Sequence, residues 1–280
     1  TKILRSQAPR SGWKIVQTRW IDINKGEDEN PNFRSRWVSK EFNTEPMEGL
    51  FAGTPPLEAM RYIIPEAATV RSGEEMGSKV IMINDVARAF FEAPAVRNVC
   101  VELPKEDKSE ADVRHDKVGH LRMSLYGTRD AAMNWQEKVA REVRKLGFQR
   151  GRYNPCLYYH ADENLKTFLH GDDFATVGTR DGVKWLKEAL EKRFEIKSQC
   201  AGTVALKLDR QVSVGASPSG RAAHTKGTGA SNGPAPTATN GEELVEGTEC
   251  RLLNRVVRCI AEGWEVEPDQ KHADIIVQEL

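Results

Sequence analysis

Residues 165–178 read LKTFLHGDDFATVG, two apolar and β-prone runs around a Gly-Asp-Asp. Such runs meeting at a Gly-Asp turn have the grammar of a β-hairpin, here with adjacent carboxylates, Asp172 and Asp173, at its tip. Side-by-side carboxylates repel unless a cation neutralises them, and hard divalent cations take oxygen ligands. The ladder behind the tip makes it a rigid mount. An ordinary acidic surface turn uses the same residues, so the hairpin alone leaves both readings open.

A second stretch bears on the choice. Residues 80–86 read VIMINDV, a nearly continuous apolar strand interrupted by Asn84 and Asp85. That pattern suits a strand covered on both faces. A carboxylate near its end is costly unless paired or bound to metal. Such a strand beside the Asp-Asp hairpin would gather three carboxylates, enough to hold two Mg²⁺ (or Mn²⁺) ions roughly 3.5–4 Å apart for in-line phosphoryl transfer.

Taken in order, these motifs resemble those of the reverse transcriptases of copia-type long-terminal-repeat retrotransposons. The likeness rests on Asp85-Val86 followed by Ala89-Phe90, and on the later Asp172-Asp173 hairpin. Further stretches fall in the family's order: Arg19-Trp20-Ile21-Asp22, residues 34–42, Ser124-Leu125-Tyr126-Gly127 with Ala131 and Trp135, Leu146-Gly147-Phe148, and residues 154–158. It covers residues 13–198. The resemblance implies an α+β, right-hand polymerase fold: an antiparallel palm sheet of split βαβ type with helices on one face, β-rich fingers and an incomplete thumb. It implies Asp85, Asp172 and Asp173 as catalytic metal ligands. It assigns Arg36, Lys40, Arg88, Ala89, Phe90, Tyr126 and Gly127 to the incoming nucleotide, with Arg36 on the triphosphate and Phe90 beneath the sugar, excluding a 2′-hydroxyl. Implied partners are an RNA or DNA template with its primer and deoxynucleoside triphosphates. The chain would be part of a longer polyprotein.

The residues themselves leave several of these roles open. Arg36 and Lys40 equally suit an exposed strand, and Phe90 or its neighbour Phe91 equally suits the core. His170 stands where the family usually has an aromatic residue. With 41 basic and 41 acidic residues there is no global basic signature, so nucleic acid would need a local patch. The best candidate is Arg141, Arg144, Lys145, Arg150 and Arg152 against the single acid Glu142, although a solvated helix face has the same composition. Five cysteines without a Cys-x-x-Cys pair argue against a disulfide framework and a zinc ribbon and fit a reducing, intracellular compartment, cytoplasm or nucleus. His115, Asp116 and His120 read as a solvated loop, not a metal site. No stretch is long and apolar enough to span a membrane.

Along the chain, residues 1–12 read as a loose arm and 13–77 as fingers, with strands at 13–22 and 33–42 and a helix at 55–69 that Pro65 ends or kinks. Residues 78–198 read as the palm. Within it, 105–117 is a solvated loop, 130–146 a helix with Trp135 on its apolar face, and 181–194 a helix capped by Asp181. Residues 199–248 read as a linker; its section 215–241 holds no large apolar residue and is expected to be disordered. Residues 249–280 read as strand 252–260, a turn, strand 264–267 and a helix from Asp269, a possible thumb remnant that the linker leaves poorly positioned.

The leading function is therefore RNA-directed DNA polymerase. A catalytically degenerate, polymerase-derived nucleic-acid-binding fragment is the alternative. A palm-like cyclase or other nucleotidyl transferase shares the carboxylates but does not account for the fingers and Ser-Leu-Tyr-Gly segments.

Overall fold

The computed structural model describes residues 1–26, 28–43, 46–75, 77–202, 246–253, 255–267, 274–275 and 277–278. The segment 215–241 and most of the helix expected from Asp269 lie outside them. The N-terminal elements are β1 (Lys2–Leu4), α1 (Gln7–Arg10), β2 (Lys14–Val16), β3 (Thr18–Asn24), β4 (Phe33–Ser39) and α2 (Leu57–Ala68). Then come β5 (Lys79–Val86), a 3₁₀ turn (Ala89–Glu92), β6 (Val99–Val101), α3 (Glu110–Arg114), β7 (Lys117–His120) and α4 (Ala131–Lys145). After these lie β8 (Gln149–Arg150), β9 (Leu157–His160), β10 (Leu165–His170), β11 (Asp173–Thr179), α5 (Arg180–Glu191) and β12 (Ile196–Ala201). The C-terminal strands are β13 (Glu246–Gly247), β14 (Glu249–Leu252), β15 (Arg255–Ile260) and β16 (Gly263–Val266).

The apolar run at 80–86 becomes β5, an inner strand of a seven-stranded sheet ordered β13-β12-β5-β11-β10-β9-β8. Within it, β5 and β10 run parallel with β11 paired antiparallel between them, and α4 lies between β5 and β10 in the chain, a split arrangement completed by α5 and β12. Period-two alternation divides β5 between two cores. Val80, Met82 and Val86 meet Trp135, Val139, Leu186 and Leu190 of α4 and α5. Ile81 and Ile83 meet Met60 and Ile63 of α2 and Leu252 and Val257 of the C-terminal strands.

That second core corrects two expectations. Helices do not cover one face alone: α2 and the three-stranded sheet β14-β15-β16 cover the other. The C-terminal segment is also not loosely placed, because fully buried Leu252 and Val257 each supply about 1.5–3 kcal/mol of apolar burial against the main sheet. The expected strand 252–260 forms as β15 at Arg255–Ile260, and the segment before it adds β14, paired antiparallel with it.

Other corrections concern pairings between distant segments. Residues 1–12 are not a loose arm: β1 pairs with β7, Ala8 is fully buried, and Arg5 binds Glu102 and Asp116. The expected strand 13–22 breaks at Gln17, where β2 joins β6 in parallel and β3 turns away to pair with β4. The 105–117 segment contains α3, started by a Ser109–Asp112 capping box whose Asp112 is buried and paired with Lys2 and Lys117. His120 stacks on Trp13. Thr179, not Asp181, caps α5, accepting from the Gly182 amide. The linker boundaries move inward, because β12 runs to Ala201 and pairs in parallel with β13. Pro65 is accommodated inside α2.

Candidate active site

Three aspartates meet at one end of the main sheet. Asp85 and Asp173 are directly opposed partners of the β5–β11 ladder, a position that puts Cβ atoms about 4.5–5.5 Å apart. His170 pairs with Asp173 across the hairpin, leaving Gly171 and Asp172 as a two-residue turn. Positive φ falls on Gly171 (+63°) and not on Asp172, the signature of a type II′ turn. The Asp172 carbonyl accepts from the Val86 amide at 3.1 Å, tying the turn to the end of β5. Asp85 is the exposed residue of an otherwise buried strand, so the argument from a buried charge does not apply to it. Mutual repulsion does. Burial, then the charges of Asp172 and Asp85, push the Asp173 carboxyl up to about 6.

The three carboxylates line an open cavity of about 590 Å³ with His170, Lys197, Gln199 and Arg251. Among the described residues, no three acidic, imidazole or thiolate groups are gathered tightly enough to hold a single ion. Asp85 and Asp173 sit at ladder spacing while Asp172 occupies the turn beyond them. The donor set still suits Mg²⁺ or Mn²⁺, since Mg²⁺ sites use one or two carboxylates completed by water and substrate phosphates.

The β3–β4 hairpin meets this end of the sheet through the Ser-Leu-Tyr-Gly segment. The Ser39 amide donates to the Tyr126 carbonyl at 2.7 Å. Gly127 has φ +83°, and a Cβ there would fall 2.0 Å from the Ser39 carbonyl oxygen, so only glycine permits the approach. Arg36 lies over the Tyr126 ring at 5.6 Å. The Phe90 and Phe91 rings lie 4.7 and 5.5 Å from it. Burial first, then Asp172, raises the Tyr126 hydroxyl pKa; Arg36 and Arg34 lower it. Tyr126 therefore stands between the carboxylates and the hairpin arginines. Buried Glu41, just past β4, accepts from Arg97 at 2.9 and 2.7 Å and from the Arg129 amide at 3.0 Å. Arg97 also donates to Asp130 before α4.

Other expected site residues are placed less favourably. Lys40 is exposed beyond the end of β4. Arg88 is exposed, in a left-handed backbone conformation, and paired with Glu195. Ala89 is buried in the core, so its side chain is not open to a nucleotide. In the basic cluster, Arg150 binds Glu137 and the Pro155 carbonyl, while Lys145 joins Lys138 and Arg193 around buried Glu142. Arg141, Arg144 and Arg152 are exposed. Trp135 of α4 reaches Gly171, and Leu146 past its end reaches His160. The end of α4 with Lys145 thus lies toward the end of β10 away from the carboxylates, while Arg150 is level with the middle of β10 through the Tyr158–Thr167 pair.

The family profile described as "Reverse transcriptase (RNA-dependent DNA polymerase)" matches residues 6–209. The chain belongs to this reverse transcriptase family. It is 25% identical over 195 residues to the retrovirus-related Pol polyprotein from transposon TNT 1-94 of Nicotiana tabacum, a copia-type likeness covering 66% of this chain. The chain spans 14% of that polyprotein's length. A solved structure of apo telomerase from Candida tropicalis, truncated from the C-terminal domain, aligns with a TM-score of 0.44 and 9% identity, covering 94% of this chain and 56% of that one.

The reverse transcriptase match continues past Ser198, where the motif likeness stopped, and takes in all of β12. This strand carries site residues that the motifs missed. Lys197 is the ladder partner of Asp85 on the side away from Asp173, and Gln199 accepts from the Arg251 amide. Both face the cavity. The alternation Lys197, Gln199 against Ile196, Cys200 was the available signal, but nothing local says which strand β12 joins.

Proposed function

We propose that this chain is the polymerising domain of a copia-type retrotransposon reverse transcriptase, extending a primer on an RNA template with deoxynucleoside triphosphates. On this reading the main sheet with α4 and α5 is the palm, the β3–β4 hairpin belongs to the fingers, and β14–β16 lie where a thumb begins. The observation that carries the reading is the Asp85–Asp173 ladder pair with Asp172 in the adjoining turn, all on one cavity. Asp85, Asp172 and Asp173 would hold Mg²⁺ or Mn²⁺, which when bound supplies positive charge to the attacking 3′-oxygen and the leaving pyrophosphate.

The remaining residues act by position and charge. Arg36, braced on Tyr126, offers a planar fork to triphosphate oxygens. Lys197 and Arg251 bring positive charge to the opposite side of the same cavity. Phe90, packed on Tyr126, supplies the bulky wall that would meet a 2′-hydroxyl. Primer extension on an RNA template tests the reading, with deoxynucleotides and ribonucleotides in parallel. Template-dependent DNA synthesis supports it. Primer–template binding without any extension would support the degenerate alternative.

A further inference from the structure

Three consecutive side chains of α4 hold three separate segments, one of them the turn that carries Asp172. Asn134 donates to the Ser124 hydroxyl at 3.0 Å, Trp135 donates from its indole nitrogen to the Gly171 carbonyl at 2.8 Å, and the Gln136 carbonyl oxygen accepts from the Gly53 amide at 2.8 Å. Successive residues on a helix point about 100° apart, so the three reach in different directions. The Trp135 contact has the most direct consequence. Its acceptor belongs to the peptide that joins Gly171 to Asp172, and that peptide is a rigid plane. Holding its oxygen fixes the plane's orientation. Types I′ and II′ differ by a flip of this central peptide: I′ requires positive φ at both turn residues, II′ only at the first. The observed turn keeps Asp172 out of the left-handed region.

We infer that Trp135 is a positioning residue for Asp172, its indole N–H locking the Gly171–Asp172 peptide in the orientation that presents the Asp172 carboxylate to the cavity shared with Asp85 and Asp173. The inference rests on the reading of these aspartates as metal ligands. Without the bond, the flip is opposed only by the strain of a non-glycine residue at positive φ and by the Val86 amide on the Asp172 carbonyl. Trp135 is also fully buried and packed edge-on against Phe194 at 5.3 Å between ring centroids, so a purely structural role is the competing explanation.

Mn²⁺ binding to the full chain, read by electron paramagnetic resonance with a dideoxy-terminated primer–template and a deoxynucleoside triphosphate present, separates the possibilities without turnover. Trp135→Phe keeps most of the ring and removes the donor; it should weaken Mn²⁺ binding about tenfold, the range for outer-shell partners of metal ligands. Placing benzothienylalanine at 135, which retains the bicyclic shape without the N–H, should do the same if Trp135→Phe folds poorly. Phe194→Leu removes packing on the same indole but leaves the donor; it should lower the melting temperature with Mn²⁺ affinity unchanged. Equal loss in Trp135→Phe and Phe194→Leu, or wild-type affinity in both donor-lacking variants, overturns the inference. Asp172→Asn reports on the underlying reading: if it binds Mn²⁺ like the wild type, the metal assignment fails and the inference falls with it.

Discussion

Gly127→Ala tests how the hairpin is joined to the carboxylate end of the sheet. At φ +83° an alanine is strained by about 1–2 kcal/mol, and its Cβ would sit 2.0 Å from the Ser39 carbonyl oxygen. Ordinary contact begins at 3.4 Å, so β4 must retreat by 3.4 − 2.0 = 1.4 Å. That retreat breaks the 2.7 Å bond from the Ser39 amide to the Tyr126 carbonyl, a net loss of about 1 kcal/mol. The sum, about 2–3 kcal/mol, weakens docking of the hairpin roughly 30- to 150-fold at 1.4 kcal/mol per factor of ten. Arg36 then loses its seat over Tyr126. The KM for the deoxynucleotide should rise at least about tenfold, a lower bound taken from that docking loss. Amide exchange at Ser39 should accelerate, while the β5–β11 ladder stays protected. Wild-type KM together with a protected Ser39 amide would refute the reasoning.

Two further outcomes are expected. Arg97, the Arg129 amide and Lys14 outweigh burial and hold the Glu41 carboxyl at about 2, against an ordinary 4.5. A depressed folded value means stability present above pH 4.5 and lost as pH falls toward 2, by about 3 kcal/mol in full. Glu41→Gln should therefore destabilise at pH 7 and flatten the acid limb of a urea-unfolding series; an unchanged limb would remove Glu41 from the account. Phe90→Ala should admit ribonucleotides while retaining the fold. In an active preparation, unaltered discrimination between ribo- and deoxynucleotides would return Phe90 to a packing role.

What was legible in the chain is what local pattern encodes. The β10–β11 hairpin, β5, α4 and α5 follow from period-two and period-3.6 spacing with nearby turn residues, and the motif order carried the family. The missed features depend on partners distant in sequence. Residues 2–4 become a strand only because Lys117–His120 lies beside them, and three residues show no period. Lys197 and Arg251 enter the site through strands whose neighbours no local rule selects. The partners of Arg150 in the basic cluster escape local reading for a related reason: Glu137 and the Pro155 carbonyl are separated from it in the chain and adjacent in space.

Single-nucleotide incorporation under pre-steady-state conditions tests the central claim most directly, using the wild-type chain and Asp85→Asn, Asp172→Asn and Asp173→Asn with primer–template affinity measured in parallel. If the three carboxylates form one metal-dependent site, each variant should lose on the order of 10²–10³-fold in incorporation rate, the range for removing one preorganised electrostatic group. Primer–template affinity should stay within a few-fold of wild type. Any one of the three variants incorporating at the wild-type rate would contradict the account.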